Sequence, residues 1–306
     1  MDLSSNDPRL LELADRLWHR ETGAVRTRAP ISLKLRVGPL EHDALLAPPQ
    51  HLTESWTVAR DGAVLRLGGQ LDVKADIRAA TIEGRVSAAL LDRDPGLVAR
   101  LLLEVPVAVL LQQRSYVAIH AAAIAGPQGA VVLRGGPGAG KSTLAAAAWL
   151  AGLEVLGDES VLVAREDSDE LLAAVRDPTL EPETVRLLGI VDGLTPATER
   201  AGPKQRMNLF SSADPARRSQ RRVATVILGP RTEVPARLDA IDAETFLREF
   251  RAGEIREERW GGHGLNIEQN WSHSGAWRLS GAGDLGGAVK LLSELVGHVP
   301  HRGSRT

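Results

Sequence analysis

Hydrophobic spacing changes rhythm twice along the chain. Behind Asp7-Pro8, an N-cap followed by a proline in the first turn, Leu10, Leu11, Leu13, Leu17 and Trp18 recur near a period of 3.6, which predicts a helix over 7–20. From 31 to 86 the period shortens to two. ISLKLRV, HLTESWTVA and AVLRLGG alternate apolar and polar positions, Asp61-Gly62 supplies a hairpin turn, and LDVKADI and ATIEGRV add two short strands. An antiparallel, hairpin-connected module is expected there. Residues 95–113, PGLVARLLLEVPVAVLLQQ, predict a mostly buried helix with a kink or break at Pro106.

From 115 onward strand, glycine loop and helix alternate: YVAIHAAAIA, a GPQG turn, AVVLRG, GGPGAGKS, TLAAAAWLAGL, then EVLGDESVLVA. That order argues for an α/β core. ELLAAV and RVATVILG suggest later strands, and DAETFLREFRAG and DLGGAVKLLSELVG suggest helices. The stretch 192–222, rich in Pro, Gly, Arg and Ser, is expected to be mobile loop. No internal repeat interrupts this series.

Composition narrows the chemistry. The 306 residues include no cysteine, which excludes a disulfide scaffold, thiolate metal sites and a cysteine nucleophile. With 37 Lys+Arg against 39 Asp+Glu, nothing in the bulk charge favours nucleic acid. The first twenty residues lack the basic and apolar regions of a signal peptide. Apolar segments such as VPVAVLL are shorter than the ~20 residues a bilayer span requires. A cytoplasmic, non-membrane protein is expected. Five of the cations are lysine, namely Lys34, Lys74, Lys141, Lys204 and Lys290, so each lysine is informative.

Gly135-Gly136-Pro137-Gly138-Ala139-Gly140-Lys141-Ser142 matches G-x-x-x-x-G-K-[ST], with Thr143 next. An apolar run precedes it and an Ala/Leu-rich helix follows, as a phosphate-binding loop requires. Glycines let backbone N–H groups wrap a polyphosphate at the positive end of the helix. Lys141 supplies a mobile charge for the terminal phosphates and the Ser142 hydroxyl a ligand for Mg²⁺. Asp158-Glu159 follows on or beside a strand expected next to the one that enters the loop. Two acids there suit one metal ligand and one general base, against the blander reading of a solvated acidic turn.

The run from His120 to Val163 resembles the catalytic domain of HPr kinase/phosphorylase and its relatives, whose P-loop fold is related to phosphoenolpyruvate carboxykinase. The resemblance implies an α/β P-loop kinase core, ATP and Mg²⁺, a functional histidine at His120, Asp158 as catalytic base and Glu159 as metal or supporting ligand; a core histidine bonded to a backbone carbonyl is the alternative for His120. More weakly, RDPTLEPETVRLLGI is similar to a family segment whose acid aligns with Thr184, leaving Glu181 or Glu183 to serve. Lys204-Gln205-Arg206-Met207-Asn208-Leu209 is similar to a basic family segment, implying roles for Lys204 and Arg206 beside the transferring phosphoryl group. An ordinary basic loop remains the alternative.

Thr143 and the shifted acid argue against HPr itself as the target. The expected division is a 1–114 α+β module on the substrate or partner side and a 115–306 catalytic domain. The expected activity is transfer of the γ-phosphoryl group of ATP to a hydroxyl, a serine of a peptide or protein such as a ribosomal precursor peptide. A small-molecule kinase of the same fold and a nucleotide-dependent binding module stay open as alternatives, as does a homo-oligomer.

Elsewhere, Arg217-Arg218 and Arg221-Arg222 read as a solvated loop edge, with a patch for an acidic peptide or the nucleotide phosphates as the alternative. WGGHGLNIEQNWSHSGAW, with His263 and His273, lacks zinc-site spacing and reads as a tryptophan-anchored surface segment packing near the active site.

Overall fold

A computed structural model of the chain describes residues 2–18, 31–39, 54–59, 62–67, 70–114, 116–158, 160–172, 178–191, 194–196, 205–207, 219–230, 232, 234–254 and 267–298. It is a mixed α/β protein, and its described residues divide into two compact units with the boundary after Tyr116.

The first unit opens with β1 (Asp2–Ser5), α1 (Pro8–Trp18) and β2 (Ser32–Val37). The Asp7 carboxylate accepts the N–H of Arg9 at 2.9 Å, which starts α1 where the N-cap pattern places it. Next come β3 (Glu54–Ala59), β4 (Gly62–Leu67), β5 (Leu71–Asp76) and β6 (Thr81–Val86). β3 and β4 form a hairpin with Ala59 opposite Gly62; Asp61 lies outside the described residues. The six strands lie in the order β1-β2-β6-β5-β4-β3.

The sheet is not wholly antiparallel: β1 pairs with β2, and β2 with β6, in parallel. Alternation determines which face of a strand is buried but is silent on direction, so the two pairings look alike in sequence. Leu33, Leu35, Leu71, Val73, Ala75 and Ile82 are buried, while Lys34, Arg36, Asp72, Lys74 and Glu83 between them are exposed.

The unit continues with α2 (Ala88–Arg93), α3 (Pro95–Val98), a π-helical segment (Ala99–Glu104) and α4 (Val105–Arg114). The helix does not break at Pro106, which is the second residue of α4; it passes instead through the π-helical turn just before it. Proline offers no N–H to the carbonyl of Leu102 and its ring presses on that carbonyl, whereas π-helical spacing relieves both effects. Leu101, Leu102 and Leu103 thereby reach the core.

Starting within β7 (Tyr116–Ile119), whose first residue still belongs to the first unit, the second unit continues with β8 (Ala121–Gly126), β9 (Gly129–Arg134), α5 (Lys141–Leu150), β10 (Glu154–Gly157), β11 (Val161–Ala164) and β12 (Glu170–Leu172). It proceeds through β13 (Thr179–Leu180), α6 (Pro182–Leu188), β14 (Leu194–Pro196), β15 (Gln205–Met207) and β16 (Ser219–Leu228). It ends with β17 (Arg237–Ala240), α7 (Ala243–Ala252), α8 (Ile267–Ser272), β18 (Ala276–Ser280) and α9 (Leu285–Leu295). The main sheet runs β10-β8-β9-β16-β12-β11-β7, with β18 between β16 and β17. β13, β15 and β14 make a small separate sheet, so part of the expected 192–222 loop is strand.

Both faces of the main sheet are covered. Ala122, Ile124, Val131, Leu133, Val226 and Leu228 pack under Leu144, Ala145 and Ala148 of α5 and Ala288 and Leu292 of α9. The alternate residues Ala121, Ala123, Ala125, Ala130, Val132 and Ile227 pack under Phe246 and Phe250 of α7 and Ile267 and Trp271 of α8. Alanines on β8 and α5 keep these layers close with very few aromatic side chains. Among the described residues no helix is long and apolar enough to cross a membrane.

Candidate active site

Every residue of β9 is buried, and the chain leaves it directly into the glycine loop and then α5. The glycines in that loop differ in their reasons for being there. Gly138 and Gly140 hold φ of 78° and 98°, left-handed values that side chains disfavour. Gly135 is held by contact instead: a β-carbon there would lie 2.8 Å from that of Ala139. Gly136 and Gly138 face open space. The Ala139 N–H donates to the Gly136 carbonyl at 3.1 Å, closing the bend on which Pro137 sits, and α5 starts at Lys141 behind Gly140.

Lys141 is 7% exposed, and its ammonium donates to the carbonyls of Gly135 at 2.7 Å and Gly136 at 3.2 Å. The lysine thus folds back over the loop entry, its charge held by backbone dipoles. Thr143 is buried, and Ser142 is half-buried at the head of α5.

Asp158 follows β10 and is 1% exposed. Contrary to the expectation from sequence, β10 does not neighbour β9; β8 lies between them. β10 is antiparallel to β8 and β8 antiparallel to β9, so β10 and β9 run the same way. Gly157 and Val132 both register with Ala123. Asp158 therefore sits beyond that level, on the sheet edge where β9 passes into the glycine loop. Two inter-strand steps place the β10 and β9 backbones about 10 Å apart. The carboxyl ends of like-directed strands are where open α/β sheets collect their chemistry. A carboxylate kept so deep is costly to desolvate, which makes it a functional candidate.

His120 occupies the corner between β7 and β8, so YVAIHAAAIA is two strands with a turn in the middle. The next residue, Ala121, registers with Arg134, which places His120 on the same sheet edge as the loop. Arg206 is on β15, opposite Thr179 of β13 and Thr195 of β14. β13 touches α5, so this small sheet flanks the helix behind the glycine loop. Glu159 and Lys204 lie outside the described residues. Thr184 is buried in α6, whereas Glu181 and Glu183 are exposed. Among the described residues no three His, Asp or Glu side chains gather as a metal cluster. Mg²⁺ bound to nucleotide takes one or two protein oxygens and its remaining ligands from phosphate and water, so it needs no such cluster.

One other expectation is corrected. Arg222 is not at a solvated edge; it is 6% exposed and fills the fork where β16 exchanges β12 for β18 as its neighbour. It donates to Asp169 at 2.9 Å and to the Ser274 carbonyl at 2.9 Å, and lies 4.8 Å over the Trp271 ring. Burial depresses its pKa, opposed by Asp169. Arg221, one residue earlier, is exposed and pairs with Asp167 at 2.9 Å. Arg217 and Arg218 lie outside the described residues, as does His263, while His273 is exposed.

Trp271 is the tryptophan of that segment that lies among the core residues. It is fully buried, with its indole N–H on the Ser168 carbonyl at 2.8 Å. One residue at the site escaped the sequence reading: Arg134, the last residue of β9, is 0% exposed. Its signal is a lone cation closing the otherwise apolar run GAVVLR.

No protein-family model matches the chain, and none of the curated proteins is significantly similar to it. Any functional reading therefore rests on these residues and on the motif resemblance they carry.

Proposed function

We propose that the second unit is an ATP- and Mg²⁺-dependent kinase of the HPr-kinase-like P-loop type. In this reading it transfers the γ-phosphoryl group to the hydroxyl of a serine in a peptide or protein. The observation that carries the reading is the meeting of the glycine loop and a buried Asp158 on one carboxyl edge of the sheet.

The donor set fits the substrate. Left-handed glycines at 138 and 140 curve the loop, the space over Gly136 and Gly138 is open, and α5 begins at Lys141. The loop N–H groups and the N-terminus of α5 bind the phosphates of ATP, and Lys141 exchanges its carbonyl partners for phosphate oxygens. Ser142 with Asp158 or Glu159 would hold Mg²⁺, which supplies charge neutralisation on the phosphates. Asp158 accepts the proton of the acceptor hydroxyl as its oxygen bonds to phosphorus and the bond to ADP breaks. His120, on the same sheet edge, and Arg206, on β15, stand as further candidates, and the motif resemblance adds Lys204.

The test incubates the full chain with Mg-ATP and serine-containing peptides and reads phosphorylation by mass spectrometry. Lys141→Ala should lose nucleotide binding and transfer together. Asp158→Asn should keep nucleotide and lose transfer. Undiminished transfer in Asp158→Asn would remove Asp158 from the role of base.

A further inference from the structure

Arg134 is the residue before Gly135, and its guanidinium ties three chain segments together at the root of the glycine loop. Nη1 donates to the carbonyl of His120 at 2.7 Å, holding the corner between β7 and β8. Nε donates to the carbonyl of Phe250 at 3.2 Å, in the last turn of α7, where a cation also complements the helix dipole. The guanidinium carbon lies 4.5 Å over the Phe250 ring. Just past that helix, Gly253 packs so tightly that a β-carbon would stand 3.2 Å from Arg134 Nε and 3.3 Å from the Gly135 carbonyl carbon.

An apolar residue could fill this volume without the cost of burying a charge. What it could not do is bond two carbonyls from distant parts of the chain and so hold His120 and the end of α7 against the first residue of the loop. From this geometry we infer that Arg134 is a positioning residue for phosphoryl transfer. It sets the entry angle of the glycine loop and the placement of His120, touching neither ATP nor acceptor. The inference rests on the kinase reading.

Several N–H groups and Lys141 share the grip on nucleotide, so a small shift of the loop root leaves ground-state binding nearly intact. In-line alignment is far less tolerant: a misplacement near 1 Å costs on the order of 100-fold in rate. The test compares wild type, Arg134→Lys and Arg134→Met for circular dichroism, thermal melting, Mg-ADP affinity and kcat against KM, at a temperature where all three are folded. Lysine keeps the charge and one carbonyl bond, while methionine keeps only the bulk.

The expected result is Mg-ADP affinity within about threefold of wild type. kcat should fall about 10-fold in Arg134→Lys and about 100-fold in Arg134→Met. Wild-type kcat in folded Arg134→Met overturns the inference, and so does a loss carried entirely by KM for ATP. Should methionine prevent folding, Arg134→Lys decides alone, its unchanged kcat being the contrary outcome. If wild type itself neither binds nucleotide nor transfers phosphate, the kinase reading fails first and the inference falls with it. If wild type is active and the variants match it, only the inference fails.

Discussion

The two large sheets carry charge in opposite ways. In the first unit, β2, β5 and β6 alternate, and Lys34, Arg36, Asp72, Lys74 and Glu83 stand on the exposed face at little cost. In the second unit both faces of the sheet are covered, and a charge inside it must be held by backbone carbonyls, an aromatic ring or an opposite charge. Arg134 and Arg222 are held so, and Lys141 is turned onto two carbonyls. These groups lie at strand ends, forks and loop roots. Charge on the first sheet faces solvent, whereas charge inside the second is tied to fixed partners.

The contrast can be broken by substitution. The largest stability effect is expected at Trp271, which is fully buried and anchors the α8 side of the second sheet. Trp271→Ala should cost about 3–5 kcal/mol, read from urea unfolding. Next comes a comparison within one strand. Arg222→Ala leaves Asp169 only its looser pairing with Arg221 at 3.7 Å and empties the fork, for a loss of about 3 kcal/mol. Arg221→Ala, at a side chain 67% exposed, should change stability by less than about 1 kcal/mol. Equal losses at the two positions would remove the distinction between surface and interior arginines.

A pH effect should follow from the cap of α9. The N–H groups of Gly287 and Ala236 donate to Asp284 and hold its carboxyl below its ordinary value of 3.8. A lowered folded pKa stabilises at all pH above the unfolded value and loses that contribution as pH falls through the folded one. The melting difference between wild type and Asp284→Ala should thus be constant near neutrality and shrink below about pH 4. The smallest effect is expected on the open face of the first sheet, where Lys74→Ala should stay within about 0.5 kcal/mol of wild type.

What was legible in the sequence follows from the same contrast. Strict alternation located β2, β5 and β6, and an N-cap with a spaced apolar stripe located α1, because each pattern is local. The glycine loop was legible for the same reason: its residues are contiguous. Pairing direction was not, since the parallel contact of β2 with β6 leaves no mark on either strand. Nor was the insertion of β8 between β10 and β9, because a continuous apolar run hides both its partners and its turn at His120. Arg134, Arg222 and Trp271 gain their roles from partners many residues away, which spacing cannot reveal.

The central claim is that the glycine loop and Asp158 form one phosphoryl-transfer site. Its most direct test is a paired measurement on folded wild type and Asp158→Asn: Mg-ADP affinity, and the rate of phosphorylated peptide formation from Mg-ATP. The account predicts affinities that agree within a few-fold and a rate lower by about 100- to 10,000-fold in the variant. Equal rates, or a wild type that binds no nucleotide, would contradict it.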